Sequence, residues 1–280
     1  MTWELSLVVP CYNEAARIPL ARYARFLETQ RRVRLCFVDD GSRDGTRAAL
    51  KGFCTRFPES AELVALPENR GKAEAVRAGM ARLLECAAHG GHVGFWDADL
   101  ATPLEVSLRF LDAMRRHGRL RCVFGSRRPR PGARIERTPA RHAIGCGVAL
   151  LIRQYLRLPI YDTQCGAKVF HRDDVAALFG EPFVSRWLFD VELFKRMLLV
   201  HPPERLAAWL CEMPLTEWRD VAGSKLRRRD GLTLFRDLVR IALSYHRPRH
   251  AISSQGKNPW HDSRPPYKLA PTICHENPHR

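Results

Sequence analysis

No Cys-x-x-Cys pair occurs in the 280 residues, although the chain holds nine cysteines. They stand at positions 11, 36, 54, 86, 122, 146, 165, 211 and 274, several of them in apolar runs such as RLCFVD and RCVFGS. An odd, scattered set argues against a zinc site or a disulfide framework and predicts reduced core thiols of a cytoplasmic protein. Long hydrophobic runs are missing too. No stretch approaches about 18 apolar residues, so no membrane-spanning helix is expected, and MTWELSLVVPCYNE lacks the basic-then-apolar order of a signal peptide. The first loop, PCYNE, carries neither G-x-G-x-x-G nor G-x-x-x-x-G-K-[ST], which excludes a dinucleotide-binding turn and a P-loop. Acidic residues are scarce beside basic ones, 30 against 46, for a net charge of +16. Such a surface attracts polyanions: nucleic acid, anionic lipid headgroups or phosphorylated ligands.

What is present is a regular alternation. LSLVV (5–9), RLCFVD (34–39), LVAL (63–66), VGFW (93–96) and RCVFGS (121–126) read as buried strands. Helical spacing fills the intervals, as with Leu20, Tyr23, Phe26 and Leu27. This order predicts an α/β fold with a mostly parallel sheet covered by helices on both faces. Ligands then bind at the carboxyl ends of the strands. The polar clusters fall at those ends: Pro10 to Glu14, Asp39-Asp40, Asn69 to Lys72, Asp97 and Asp99, and Ser126-Arg127.

Beyond residue 126 the texture changes. RRPRPGARIERTPARHAIG is basic and turn-rich and reads as a mobile loop. A helical stretch near 143–156, a strand near AAWLCEMPL and an amphipathic helix over 230–246 follow. The expected division is one domain over 1–247, with a donor half to about 126, an acceptor half over 127–247, and a disordered tail over 248–280.

Asp97-Ala98-Asp99 ends an apolar run in two carboxylates. Their mutual repulsion suits either a divalent cation bound by both or a solvated turn. Asp39-Asp40-Gly41-Ser42 fits either acceptors for a base or ribose, or a helix-capping turn. Tyr12 is able to stack on a base, and Glu14 favours a helix start.

Together VVPCYNE, VDDGSRDGT, NRGKAEAVRAGM and DADLATP resemble family 2 glycosyltransferases of the GT-A (Rossmann-like) fold, over about residues 4–246. DTQCGAKVF, RWLFDVEL and the DAD-x-AT form are similar to the dolichyl-phosphate β-glucosyltransferase subgroup. Ala101 stands where related polyprenyl-phosphate mannosyltransferases commonly carry Gln, and Ala167 where the subgroup is often aromatic. The N-terminal anchor of the eukaryotic members is not read here. The resemblance implies that Pro10, Tyr12, Glu14, Asp39, Asp40 and Lys72 hold a UDP-sugar. It implies further that Asp97 and Asp99 hold Mg²⁺ or Mn²⁺ on the diphosphate, with Asp99 catalytic. Arg127, Gln164, Gly166, Lys168 and Arg186 are implied on the acceptor side, with Arg186, Trp187 and Asp190 also near the donor sugar.

The implied reaction is an inverting hexosyl transfer, glucose for preference, to a polyprenyl or dolichyl phosphate. A phosphate acceptor, with a second pKa of about 6, needs no strong base. A sugar hydroxyl needs one, for which Asp190 is the candidate; otherwise Asp190 simply starts a helix. Arg127, Arg128, Arg130, Arg134, Arg137 and Arg141, with Arg227 to Arg229 and the two amphipathic helices, suit a peripheral site on the cytoplasmic face of a membrane. The alternatives are a soluble family 2 transferase acting on a glycan hydroxyl and a non-catalytic basic nucleic-acid-binding protein. The last would interleave aromatics with basic residues on one surface. Here the aromatics sit in apolar runs, so no nucleic-acid partner is expected.

Overall fold

The computed structural model describes residues 3–85, 89–136, 139–219 and 230–246. The expected tail, Arg137 and Arg227 to Arg229 lie outside these residues, as does the side chain of Arg141. Apolar runs flanked by turn residues form the strands. β1 (Trp3–Cys11), β2 (Val33–Asp39) and β3 (Ala61–Ala65) alternate with α1 (Leu20–Thr29) and α2 (Thr46–Arg56). α3 (Lys72–Glu85), β4 (His89–Trp96), α4 (Val106–Arg116) and β5 (Cys122–Ser126) complete the first half. The expected strands and helices of this half are all found.

β7 (Ala167–His171) and β8 (Leu210–Pro214) join these in a seven-stranded sheet of order β3-β2-β1-β4-β7-β5-β8. Six strands run parallel, and β7 is wedged antiparallel between β4 and β5. Both faces are covered, as expected. On one, Tyr23, Phe26, Phe53 and Phe110 of α1, α2 and α4 pack on the sheet. On the other lie Val76 and Met80 of α3, Ile152 of α5 (Pro139–Leu156) and Val175 of α6 (Arg172–Phe179). Phe194 of α7 (Phe189–Val200) and Ile241 of α9 (Asp230–Ser244) complete that layer.

The expectation of a mobile loop over 127–141 is corrected. Arg134–Glu136 form β6, which pairs in parallel with β9 (Glu217–Arg219), and α5 begins at Pro139. α8 (Pro203–Trp209) links α7 to β8.

The strand order reverses direction between β1 and β4, because β2 and β3 extend one way from β1 and β4 starts the other. That crevice, at the carboxyl ends of the strands, is where an open α/β sheet binds ligands. α3 reaches it because Gly79 lacks a side chain. A Cβ there would lie 2.4 Å from Val8 Cγ1, so only glycine lets the helix pack this close to β1.

Candidate active site

The loops that follow β2 and β3 are tied together by two aspartates, Asp39 ending β2 and Asp40 next to it. Asp39 is buried; its carboxylate accepts from the Ser42 amide at 3.2 Å and from Arg47 Nε at 2.7 Å. Arg47 also donates to the Leu66 carbonyl at 2.7 Å, stapling the end of β3 to the same spot. Asp40 accepts from the amides of Arg70 and Gly71, both at 2.8 Å. Burial raises the Asp40 pKa, and those two amides oppose the rise. Both aspartates therefore spend hydrogen-bonding capacity on loop architecture. The first loop is tied in turn: the Glu14 amide donates to Thr46 Oγ1 at 2.7 Å, and Glu14 pairs with Arg17. Pro10 ends β1 beside Val38, and Tyr12 stands half-buried two residues on.

Asp97 and Asp99 emerge from β4 beside that loop. Leu100 directly after them adopts φ +52, a left-handed backbone that costs a leucine roughly 1–2 kcal/mol. The Ala101 amide donates to Asp99 Oδ1 at 3.0 Å, and the Tyr23 hydroxyl donates to the Ala98 carbonyl at 3.1 Å. The turn that presents the carboxylates is thus held from below. Burial and the neighbouring Asp97 charge raise the Asp99 pKa, and the Ala101 amide and the Lys72 charge oppose the rise.

Lys72, the first residue of α3, supplies one positive charge: its Nζ lies 2.5 Å from Asp97 Oδ1. Burial alone would depress this ammonium, but Asp97, Asp190 and Asp99 outweigh it and hold its pKa above the ordinary value. Gly166 makes room for the pair. A Cβ there would sit 1.8 Å from Asp97 Oδ2, so the Asp97 carboxylate occupies the place of a side chain. Among the described residues no cluster of three or more His, Cys, Asp or Glu is poised for a metal. Two carboxylates with open positions for water and phosphate fit Mg²⁺ or Mn²⁺. They do not fit a tetrahedral zinc centre.

The opposite wall is built from the DTQCG segment. Arg127 Nε and Nη2 grip both oxygens of Asp162 at 2.7 and 2.8 Å, and its guanidinium lies 5.4 Å over the Trp218 ring. Burial acts to lower the Arg127 pKa, but Asp162 overrides it and holds the group firmly protonated. Glu212 of β8 fixes the segment by accepting from the amides of Tyr161 and Asp162 at 2.7 and 2.8 Å. Gln164 Nε2 and Ser126 Oγ are buried without a hydrogen-bond partner among the described residues. Unpaired buried polar atoms are rare, and these two stand ready for a ligand's oxygens.

Two expectations need correction. Lys168 does not line the acceptor side: it is 0% exposed, because β7 is sandwiched between β4 and β5. Its Nζ donates to the Cys165 carbonyl and to Asp190 Oδ1, both at 2.6 Å. Asp190, 4% exposed, is consumed by that pair and is not available as a base. Arg186, expected on the acceptor side and also near the donor sugar, packs on the Asn69–Gly71 loop after β3. Its Nη2 donates to Asn69 Oδ1 at 3.0 Å, and its guanidinium lies across Gly71, where a Cβ would come within 2.6 Å of Nε. The sequence reading also missed Asp162 and Glu212, the two carboxylates that build the wall around Arg127. Asp162 opens DTQCG, and an acid among these arginines was the available signal.

Comparison with known proteins gives the family and the fold. Residues 6–179 match the family Glycosyl transferase family 2. A dolichyl-phosphate beta-glucosyltransferase of Trichomonas vaginalis is 32% identical over 254 residues, covering 87% of this chain and 74% of that one. The Drosophila melanogaster enzyme of that name is 34% identical, over 86% of this chain and 75% of that one. The human one is 31% identical, over 87% and 76%. Among solved structures, glucosyl-3-phosphoglycerate synthase of Mycobacterium tuberculosis, in complex with Mn²⁺, UDP and glucosyl-3-phosphoglycerate, superposes with a TM-score of 0.61. It shares 18% identity and covers 89% of this chain and 82% of that one, a likeness of GT-A fold.

Proposed function

Because the chain belongs to glycosyl transferase family 2 and its relatives are dolichyl-phosphate beta-glucosyltransferases, we propose that it transfers glucose from UDP-glucose to a polyprenyl phosphate. The observation that carries the donor half is the convergence of Asp97, Asp99 and Lys72 on one point at the β1/β4 crevice. A nucleotide diphosphate needs cationic partners there. Asp97 and Asp99 would hold Mg²⁺ or Mn²⁺, which would supply positive charge for the departing diphosphate. Lys72, freed from Asp97, adds a second cation at the leaving group. The loops tied by Asp39, Asp40 and Arg186 hold the uridine, with Tyr12 against the base and Pro10 and Glu14 shaping the turn. The solved relative's complexes with UDP and Mn²⁺ or Mg²⁺ are consistent with this reading.

The acceptor half rests on the relatives and on one chemical argument. Asp190 is buried against Lys168, so the one base proposed for a sugar hydroxyl is engaged elsewhere. A lipid phosphate is already ionised and needs none. Arg127, oriented by Asp162, faces the phosphate, while Gln164 Nε2 and Ser126 Oγ meet its oxygens or those of the sugar. α9 supports a membrane role: Phe235, Val239 and Leu243, 57%, 40% and 69% exposed, form a stripe at four-residue spacing flanked by Arg236 and Arg240. Leu150 and Leu151 of α5, the helix packed beside it, are exposed as well. An apolar stripe between arginines suits an anionic bilayer surface, here the cytoplasmic face. Among the described residues no helix is long and apolar enough to cross a membrane.

The test is transfer from radiolabelled UDP-glucose, with Mn²⁺, to polyprenyl phosphate or to soluble sugars. Organic-extractable product is expected, lost in Asp99→Ala at unchanged folding. Transfer to soluble sugars alone would sink the lipid reading, and full metal-dependent activity in Asp99→Ala would sink the site.

A further inference from the structure

Arg186 and Trp187 form an arm, and what holds it comes from the far end of the chain. Ser185 is the hinge pin. Its hydroxyl accepts from the amides of Trp187 at 3.2 Å and Leu188 at 2.8 Å, closing the turn that leads into α7. A hydroxyl has one proton to donate, and here it goes to Asp237 Oδ2 of α9 at 2.7 Å. That donation turns the oxygen's lone pairs toward the two amides. Ser185 is 1% exposed and Asp237 5%, so water does not offer a substitute acceptor.

A second tie lies about two turns further on, at Tyr245 directly after the end of α9. The Tyr245 hydroxyl donates to Glu192 Oε1 at 2.7 Å and accepts from Arg196 Nε at 2.8 Å. Burial, with Glu192 beside it, pushes the Tyr245 hydroxyl up to about 12, so it keeps its proton. Arg196 in turn donates to the carbonyls of Leu178, Glu181 and Pro182 at 2.7–2.8 Å, and Glu192 Oε2 accepts from the Val184 amide at 2.9 Å. Every turn of backbone from 178 to 188 is therefore fastened to the Glu192–Arg196 pair or to Ser185. α9 touches both fasteners.

We infer that α9 is a strut for the Arg186–Trp187 arm, and that Asp237 and Tyr245 are positioning residues for use of the nucleotide-sugar donor. Neither side chain reaches the crevice. They act through Ser185 and through Glu192 and Arg196, fixing where the Arg186 guanidinium crosses Gly71 beside the Asp40 loop. A buried polar network of this kind specifies one arrangement only while every member is satisfied. The inference rests on the reading of Arg186 as a donor-side group.

The experiment uses the full chain labelled with 5-fluorotryptophan, the Trp187 resonance being assigned by its loss in Trp187→Phe. Asp237→Ala is expected to shift or broaden that resonance and to raise the KM for UDP-glucose about tenfold, the loss of one hydrogen bond to a charged group, with kcat changed far less. Asp237→Asn, whose amide oxygen still accepts from Ser185, is expected to restore both. Tyr245→Phe is expected to act in the same direction, and serves where Asp237→Ala folds poorly. A resonance and a KM that stay put while only the melting temperature falls would overturn the strut and leave the donor site standing. A resonance that moves while the donor KM holds would overturn the donor-side reading of Arg186, and the strut's donor role with it.

Discussion

Replacing Gly166 by alanine tests the site through a residue with no side chain to lose. The added Cβ would stand 1.8 Å from Asp97 Oδ2, 2.2 Å from its Cγ and 2.5 Å from Oδ1. Non-bonded carbons do not approach closer than about 3 Å, so the carboxylate must retreat by more than 1 Å. The backbone cannot yield in its place, because the Asp97 amide donates to the Gly166 carbonyl at 3.0 Å where β7 joins β4. The side chain therefore rotates, and Lys72 loses its seat. A misplacement of about 1 Å costs on the order of 10²-fold in rate, or about 2.7 kcal/mol of transition-state stabilisation. Overpacking at this point costs a further 1–3 kcal/mol, roughly, of folding stability. Transfer kinetics, Mn²⁺–UDP affinity by calorimetry and urea unfolding separate the two effects. Gly52→Ala is the matched control: nothing lies within 4 Å of its Cβ, and it sits in α2. It should stabilise by about 0.5–1 kcal/mol without touching activity. If Gly166→Ala keeps turnover and Mn²⁺–UDP affinity within a few-fold of the parent, the Asp97 seat is not part of the active site.

Two further outcomes follow from buried charge. Lys168→Met leaves the Asp190 carboxylate buried and unpaired, at a cost of about 3–5 kcal/mol in urea unfolding, and pairing it with Asp190→Leu should recover most of that. A lone Asp190→Asn that destroyed kcat at full stability would instead restore Asp190 as a base. His92 and His171, whose rings meet edge to face at 5.8 Å, both have depressed pKa values. Burial is the main cause for each, with the His171 charge next for His92 and Arg121 next for His171. Below about pH 6.5 the unfolded chain takes up protons that the folded one resists, so stability is full above that pH and falls as pH drops. Each proton contributes at most about 1.4 kcal/mol per pH unit. His92→Gln with His171→Asn, which keeps a helix-capping side chain on α6, should flatten that acid limb in melting curves.

The first half of the fold was legible because each strand holds a short, mostly apolar run and the helices between carry their own period. The strand ends announced themselves as the places where those runs stop in polar clusters, acidic after β2 and β4 and basic after β5. β7 was not legible in its direction: AKVFH looks like any buried strand, and only the closing of the sheet decides that it runs backwards. Its lysine was the overlooked signal, since an ammonium inside such a run demands a carboxylate nearby, and Asp190 is that partner. β6 and β9 escaped because three-residue strands carry no period at all. The site's residue types were legible, but not which of them are spent on holding one another. Asp39, Asp40 and Lys168 look alike as polar residues near strand ends; their hydrogen bonds set them apart.

The reversed strand has a consequence for how such enzymes diverge. The chain leaves the cleft edge after Ser126 at the end of β5 and comes back to that edge at Gly166, because an antiparallel strand begins where its parallel neighbours finish. Everything between, β6 and α5 included, is one excursion anchored at both feet on the same rim. It behaves as a cassette. This excursion carries Arg127, Asp162 and Gln164, the wall proposed for the acceptor, and also Ile152, Leu156 and Ile160, which pack under the sheet. On the proposed reading, changes on the exposed rim of this excursion recruit a new acceptor without touching the carboxylates after β4.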